Sequence, residues 1–570
     1  MPLLKHFFYE HLENNPAEKY YIGLINRLEI YENNYSIEYF EKVDNIYKKY
    51  KQKFRTENNK RTDENKLLKY ELNDYYNLKK LASVKNPPSQ KSEYNTKIDL
   101  IPLTNFHNSV IFFIEFMTTF YKIRDKKDLE NLNKIFINYL PTFDDYIRLM
   151  KKGIEEKIVL SKFSCKIVID QLEYFLKSKD YIIKVDKKYK NEKIYLDYKS
   201  NTVPQYRNKL IELIDFIKKI YLPKCNKKIG YLNLPNGKNI YQLLINSTLT
   251  SSKYSAEKIH ELGLEEVKKL KNEINKVKNK LGHNDKSYED FNKYMLKEPK
   301  YAYKNKTDML KDFNKLRKFV KKEVTDKLFM KDVNKDYEIR TYPKQFEKGS
   351  ALASYYPLTF HTAKNQRKGI FYLNAENMND HKIYNTLTLS IHEASPGHHY
   401  QHAYPMMYKI PLYKNYVGDN TCYAEGWALY TETLYDYKQK EDEYHLLSYY
   451  GHLIFSILRA NRLVVDTGIN HYGWSYKKGF NYMRKNVPIT DAEIHRELER
   501  YISIPTQAIS YYIGKLIFLN GFKEFKKKNK KINNKYSEQD LYKKYHHLCL
   551  VSGNIPMEIL EERIKIYKLV

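Results

Sequence analysis

Cysteine, glycine, proline and tryptophan are scarce in this 570-residue chain, at 4, 18, 18 and 2. Cys165, Cys225, Cys422 and Cys549 stand far apart with no paired metal-ligand spacing. That argues against a cysteine zinc site and, in so large a chain, against a disulfide framework, so a reducing compartment is expected. Few helix breakers in a long chain argue against many short strands, and the expected fold class is mainly α. Long hydrophobic runs are also missing. Val110 to Tyr121 comes closest to a membrane span, but it is short and carries Glu115. The opening residues, Met1 to Glu10, lack the uninterrupted apolar stretch of a signal peptide. The expectation is a cytoplasmic protein with no membrane partner.

Lysine and tyrosine, by contrast, are abundant. There are 57 tyrosines, and 100 Lys+Arg against 69 Asp+Glu give a net charge of +31. Attraction to nucleic acid is one reading. No zinc finger, Gly-rich phosphate loop or RNA-recognition signature accompanies the charge, so a nucleic-acid partner is not expected. Lys, Asn, Ile and Tyr are the residues an AT-rich genome overproduces, and most of the lysine is interspersed with acids as solvated helix surface. The run Lys526 to Lys531 reads as a solvated loop.

The length predicts two or three packed units. Asn86-Pro87-Pro88-Ser89-Gln90 marks an inter-helix loop. Leu222-Pro223-Lys224-Cys225, Gly230 and Leu234-Pro235-Asn236-Gly237 mark the boundary between a helical region, 1–230, and a catalytic region, 231–570. The clearest helix runs from Ser255 to Leu281, where Ile259, Leu262, Val267, Leu270, Ile274, Val277 and Leu281 form one stripe and Gly282 supplies a stop. Gly369-Ile370-Phe371-Tyr372-Leu373-Asn374 reads as a strand. From Leu387 the pattern is helical almost to the end.

The chemistry concentrates in His392-Glu393-Ala394-Ser395-Pro396-Gly397-His398-His399. A zinc hydrolase needs three protein ligands, an open coordination position and a carboxylate to take a proton from water. H-E-x-x-H on one helix supplies most of this. Here Pro396 stands at the expected histidine position, and on an ideal helix His398 would be rotated by about 120° and displaced by roughly 9 Å. A metal site therefore requires that Pro396-Gly397 form a bulge absorbing two residues. His398 then becomes the second ligand, with His399 as the alternative. Downstream, Tyr423-Ala424-Glu425-Gly426-Trp427-Ala428-Leu429-Tyr430-Thr431-Glu432 reads as a helix whose Glu425 can deliver the third ligand. Glu432, near the same face, is a candidate to orient His392 or His398.

These two segments resemble the bacterial "domain of unknown function 885" family, whose pattern runs H-E-x-x-P-G-H-H and then E-G-W-A-L-Y-x-E. Ile259 to Val267, Tyr355-Tyr356, Gly369 to Asn374, Arg462 to His471, and Arg500-Tyr501 through Pro505, Gln507, Ala508, Tyr511 and Gly514 match further blocks. Thr506 stands where the family usually carries Gly, and Tyr545-His546-His547 where it runs aromatic-His-Asp. The resemblance implies a zincin-like helical metallopeptidase with a small β-sheet beside the active-site helix. It implies Zn²⁺ on His392, His398 and Glu425, Glu393 as general base, and a peptide or oligopeptide substrate. Tyr511 first and His471 second are carried over as catalytic donors to the oxyanion. Arg462 and Arg500 are candidates to pair a substrate carboxylate. Tyr372 and its strand are candidates to pair with an extended peptide. The competing expectations are a basic interaction or structural protein that kept the fold without catalysis, and a nucleic-acid-binding protein.

Overall fold

A computed structural model describes residues 2–57, 62–79, 94–333, 335–347, 351–360, 367–415, 420–529 and 535–569. The loop expected at 86–90 and the end of the 526–531 run lie outside the described residues. The fold is mainly helical with one three-stranded sheet. No helix among the described residues is long and apolar enough to cross a membrane. The apolar stretch at 110–121 is a helix, Ser109–Thr119, that buries Val110, Phe113, Ile114 and Met117.

Two large cores organise the chain. One gathers Phe113, Phe136, Tyr139, Tyr206 and Ile240 around the long helix Lys126–Glu156. The other joins Leu4, Phe7 and Leu68, from the first helices, to Trp427, Leu463 and Ile513. The N-terminal helices therefore pack on the C-terminal half of the chain. Within the second core, the helix Ala256–Lys280 lies against the long helix Glu443–Asn470. Its start is set by Ser255, whose side chain accepts from the Lys258 N–H. Past its end Gly282 has φ +83°, a left-handed position that suits glycine.

The sheet consists of β1 (Tyr337–Thr341), β2 (Ala353–Tyr356) and β3 (Gly369–Leu373). The order is β1-β3-β2, with β1 parallel and β2 antiparallel to β3. Phe371 and Leu373 alternate inward and meet Phe313, Leu389 and Ala394, which seats the sheet beside the His392 helix. The strand expected to receive an extended peptide is thus the middle one. Its backbone donors and acceptors are consumed on both sides, so that expectation for β3 and Tyr372 is corrected. Tyr372 stacks on Tyr342 at 5.0 Å between ring centroids.

Candidate metal centre

The helix Thr386–Glu393 carries His392 and Glu393 in its last turn and then stops. Pro396 has no N–H to bond the His392 carbonyl, so the α-ladder ends there. The Gly397 N–H bonds Ile391 O at 2.9 Å, the His399 N–H bonds Ala394 O at 3.0 Å, and a new helix runs His398–Met407. The expected bulge inside one continuous helix is instead a break between two helices. Gly397 is required by crowding, since a Cβ there would stand 1.9 Å from His392 O and 2.3 Å from Ile391 O. The Trp427 indole N–H donates to Pro396 O at 2.9 Å and pins the turn to the helix Thr421–Thr431.

The break brings His392 and His398 together with Glu425. Their ligand atoms lie within 4.8 Å of one another. Glu425 Oε2 is 3.6 Å from His392 Nε2 and 3.4 Å from His398 Nε2, and it has no hydrogen-bond partner. Tetrahedral zinc with bonds of about 2.0–2.1 Å sets neighbouring ligand atoms roughly 3.3–3.5 Å apart, so this donor set fits the ion. Burial alone would push the His392 imidazole down, but Glu425 and Glu432 on its two ring nitrogens outweigh it and hold it up at about 9. Glu425 is buried, which would raise it, yet the two histidines hold it well below the usual carboxylate range. The pocket therefore favours positive charge at its centre. Glu393 is 7% exposed and within electrostatic reach of all three, with burial pushing its carboxyl up.

The other histidine of the pair is spoken for. His399 Nδ1 meets the Tyr355 hydroxyl at 2.9 Å and its Nε2 meets Lys335 O at 2.8 Å. Burial pushes this imidazole down to about 4. Behind the triad, Glu432 Oε1 is 2.7 Å from His392 Nδ1, the arrangement that fixes a ligand imidazole's tautomer and raises its basicity. Glu432 Oε2 lies 3.8 Å from His452 Nδ1, and the His452 ring stacks on Tyr437 at 4.8 Å.

Tyr511, Arg462 and Arg500 form one cluster beside the triad. Tyr511 lies in the helix Ser510–Lys528, and its hydroxyl accepts from Arg500 Nη2 at 2.9 Å. Arg462 covers the Tyr511 ring at 4.5 Å and donates from Nε and Nη2 to both Glu497 oxygens at 2.8 Å. Tyr511 is also within electrostatic reach of Glu425. Its helix is locked to the ligand helix by Gly426 and Gly514, where a Cβ on Gly426 would stand 2.4 Å from Gly514 Cα. His471 is not brought to this group. It caps the far end of the helix Glu443–Asn470, where its Nε2 pairs with Glu257 at 2.7 Å. That is about 18 Å along the axis from Arg459.

Sequence reasoning missed His452, Arg459 and Lys515. The available signal was charge inside an apolar run, Ile454 to Val465, where Arg459 and Arg462 fall one turn apart. Arg459 is 7% exposed, and its Nε has no partner. Lys515 is buried, which pushes its ammonium down to about 8.

A family model described as "Bacterial protein of unknown function (DUF885)" matches residues 16–564. No curated protein matches the chain. Among solved structures, a protein described as "the putative lipoprotein from Colwellia psychrerythraea" is similar at TM-score 0.82 and 19% identity, covering 99% of this chain and 98% of that one. Another, described as "a putative lipoprotein of unknown function from Shewanella oneidensis", is similar at TM-score 0.66 and 14% identity, covering 98% of each chain. At these identities the likeness shows the fold.

Proposed function

The chain belongs to the DUF885 family of bacterial proteins of unknown function, and we propose that it is a zinc-dependent hydrolase acting on peptides. The observation that carries this reading is the His392–His398–Glu425 triad, with its orphaned buried carboxylate oxygen and zinc-compatible spacing. A zinc ion, when bound, polarises the scissile carbonyl and makes water a nucleophile near neutral pH. Glu393 takes the proton of the attacking water and delivers it to the leaving nitrogen. Glu432 holds His392 in one tautomer and orientation. The Tyr511 hydroxyl, which accepts from Arg500 and is within electrostatic reach of Glu425, is the candidate donor to a developing oxyanion. The sheet leaves β1 and β2 at its edges, and β2 adjoins the His-Glu helix.

The test is metal analysis of the purified protein together with cleavage of a peptide library, with Glu393→Gln as control. One zinc per chain and a loss of about 10²–10⁴-fold in kcat for Glu393→Gln are expected. Protein free of stoichiometric metal, or a Glu393→Gln variant that cleaves like wild type, refutes the reading.

A further inference from the structure

We infer that the site takes peptides ending in a free carboxylate, gripped by Arg459 and the unused Nη1 of Arg462, so that residues are removed from the C-terminus. The inference rests on the hydrolase reading and adds the substrate class. Water adds across the C–N bond one or two residues before the end. The upstream product gains a carboxylic acid, and the released amino acid or dipeptide gains the amine.

The argument begins with charge. Arg462 and Arg500 cover the Tyr511 ring at 4.5 and 5.4 Å, Arg459 stands one helical turn before Arg462, and Glu497 is the carboxylate that pairs with Arg462 and Arg500 among the described residues. Glu497 gives both oxygens to Arg462, and Arg500 turns to Gln507 and Tyr511. Arg459 is left with a long bond of 3.4 Å from Nη1 to the Phe455 carbonyl and a stacking contact at 4.6 Å over the Phe455 ring. Its Nε, and Nη1 of Arg462, are buried with no partner. A buried guanidinium N–H without a hydrogen-bonded acceptor is costly, and native proteins leave few such groups without a ligand to complete them. Glu432 is within electrostatic reach of Arg459, but its Oε1 is given to His392 and its Oε2 makes no hydrogen bond to the guanidinium.

Position supplies the second argument. Arg459 lies on its helix between His452, 3.8 Å from the Glu432 that bonds His392, and Arg462, which covers the Tyr511 ring at 4.5 Å, and it is within electrostatic reach of Glu393. An extended residue spans about 3.5 Å, so a terminal carboxylate lies one or two such steps beyond the carbonyl that water attacks beside Glu393. Two guanidinium N–H groups one helical turn apart match the two oxygens of a carboxylate. Sequence reasoning assigned that role to Arg462 and Arg500. The structure occupies most of their donors, and among the described residues Arg459 makes no hydrogen bond to a carboxylate.

The experiment uses N-blocked tripeptides in pairs, free acid and C-terminal amide. In zinc-loaded wild type the acid should be cut about 100-fold better than the amide in kcat/KM. Arg459→Met should raise KM for the acid about 10–100-fold more than for the amide, collapsing the preference between them, and Arg459→Lys should recover part of it. Calorimetric binding of the same pairs to Glu393→Gln separates this inference from the reading beneath it. Preference for the acid without turnover by wild type would sink the hydrolase and keep the carboxylate site. Turnover without preference would overturn the inference. So would Arg459→Met slowing acid and amide equally, or equal binding of both that chloride suppresses.

Discussion

The two longest helices of the molecule bury their side chains by different rules. Lys126–Glu156, of 31 residues, buries Leu129, Leu132, Ile135, Phe136, Tyr139, Phe143 and Leu149 on one stripe and turns its lysines to water. Glu443–Asn470, of 28 residues, is buried nearly all round after Tyr450, and what it buries includes His452, Arg459, Arg462 and Asp466. In the first helix hydrophobicity decides most of what goes inside, and its one buried acid, Asp128 in the first turn, is paired with Arg27 and Arg124. In the second, charged groups go inside at a cost to stability, and His452 and Arg462 among them face the partners of the His392–His398–Glu425 triad, Glu432 and Tyr511. Buried charge that packing does not require is the physical mark of a site.

The largest effect should come from breaking the first helix's rule. Phe136→Ala removes a fully buried ring and should cost about 3–5 kcal/mol in denaturant unfolding. Activity per folded molecule should be unchanged.

Acid should expose the second helix's rule. Burial, reinforced by Lys515, pushes the His452 imidazole down to about 3 from an ordinary 6.5. The unfolded chain then binds more protons than the folded one between these values. The stability from neutral His452 is whole above pH 6.5 and is lost as pH falls toward 3. Roughly 2 kcal/mol should go between pH 7.5 and pH 5. His452→Phe should flatten that loss in unfolding curves at the two values, and an unchanged slope would show that His452 is not its source. The first helix carries no histidine and should contribute no such term.

A smaller effect separates stability from function at one residue. Arg459→Met should leave stability unchanged or raise it by about 1–2 kcal/mol, because replacing a buried charge with an apolar chain removes a desolvation cost. A melting temperature that falls sharply would make Arg459 a structural residue. Last, Thr506 holds φ +72°, a left-handed position that suits glycine, and its hydroxyl is 2.6 Å from that of Thr248. In a Thr248→Val background, where that bond is already gone, Thr506→Gly should stabilise by about 1 kcal/mol through relief of left-handed strain.

Much of this was legible in the chain itself. The periodicity of Ile259 to Val277 predicts the helix Ala256–Lys280, and β-branched and aromatic residues predict β3. The His-Glu motif and Glu425 are near the correct spacing for a triad once two residues are set aside. Periodicity tells which face is buried but not against what. It could not reveal that β3 is the middle strand, or that Leu4 and Phe7 pack with Ile513. Nor could it tell that His471 answers to Glu257, since pairing across more than two hundred residues leaves no local trace. Arg459 was missed because an arginine every few residues on a helix looks like solvated surface until its burial is known.

The contact between Gly426 and Gly514 has a consequence for what the proposed hydrolase would release. Two backbones in van der Waals contact cannot slide or splay without breaking their packing. Glu425 on one helix and Tyr511 on the other are therefore set at a fixed separation. A substrate whose reacting bond is near the first and whose end is near the arginines around the second meets a ruler, not an adjustable jaw. Its products should be of one length whatever the sequence being trimmed, and a single methyl group placed between the two glycines would change the gauge.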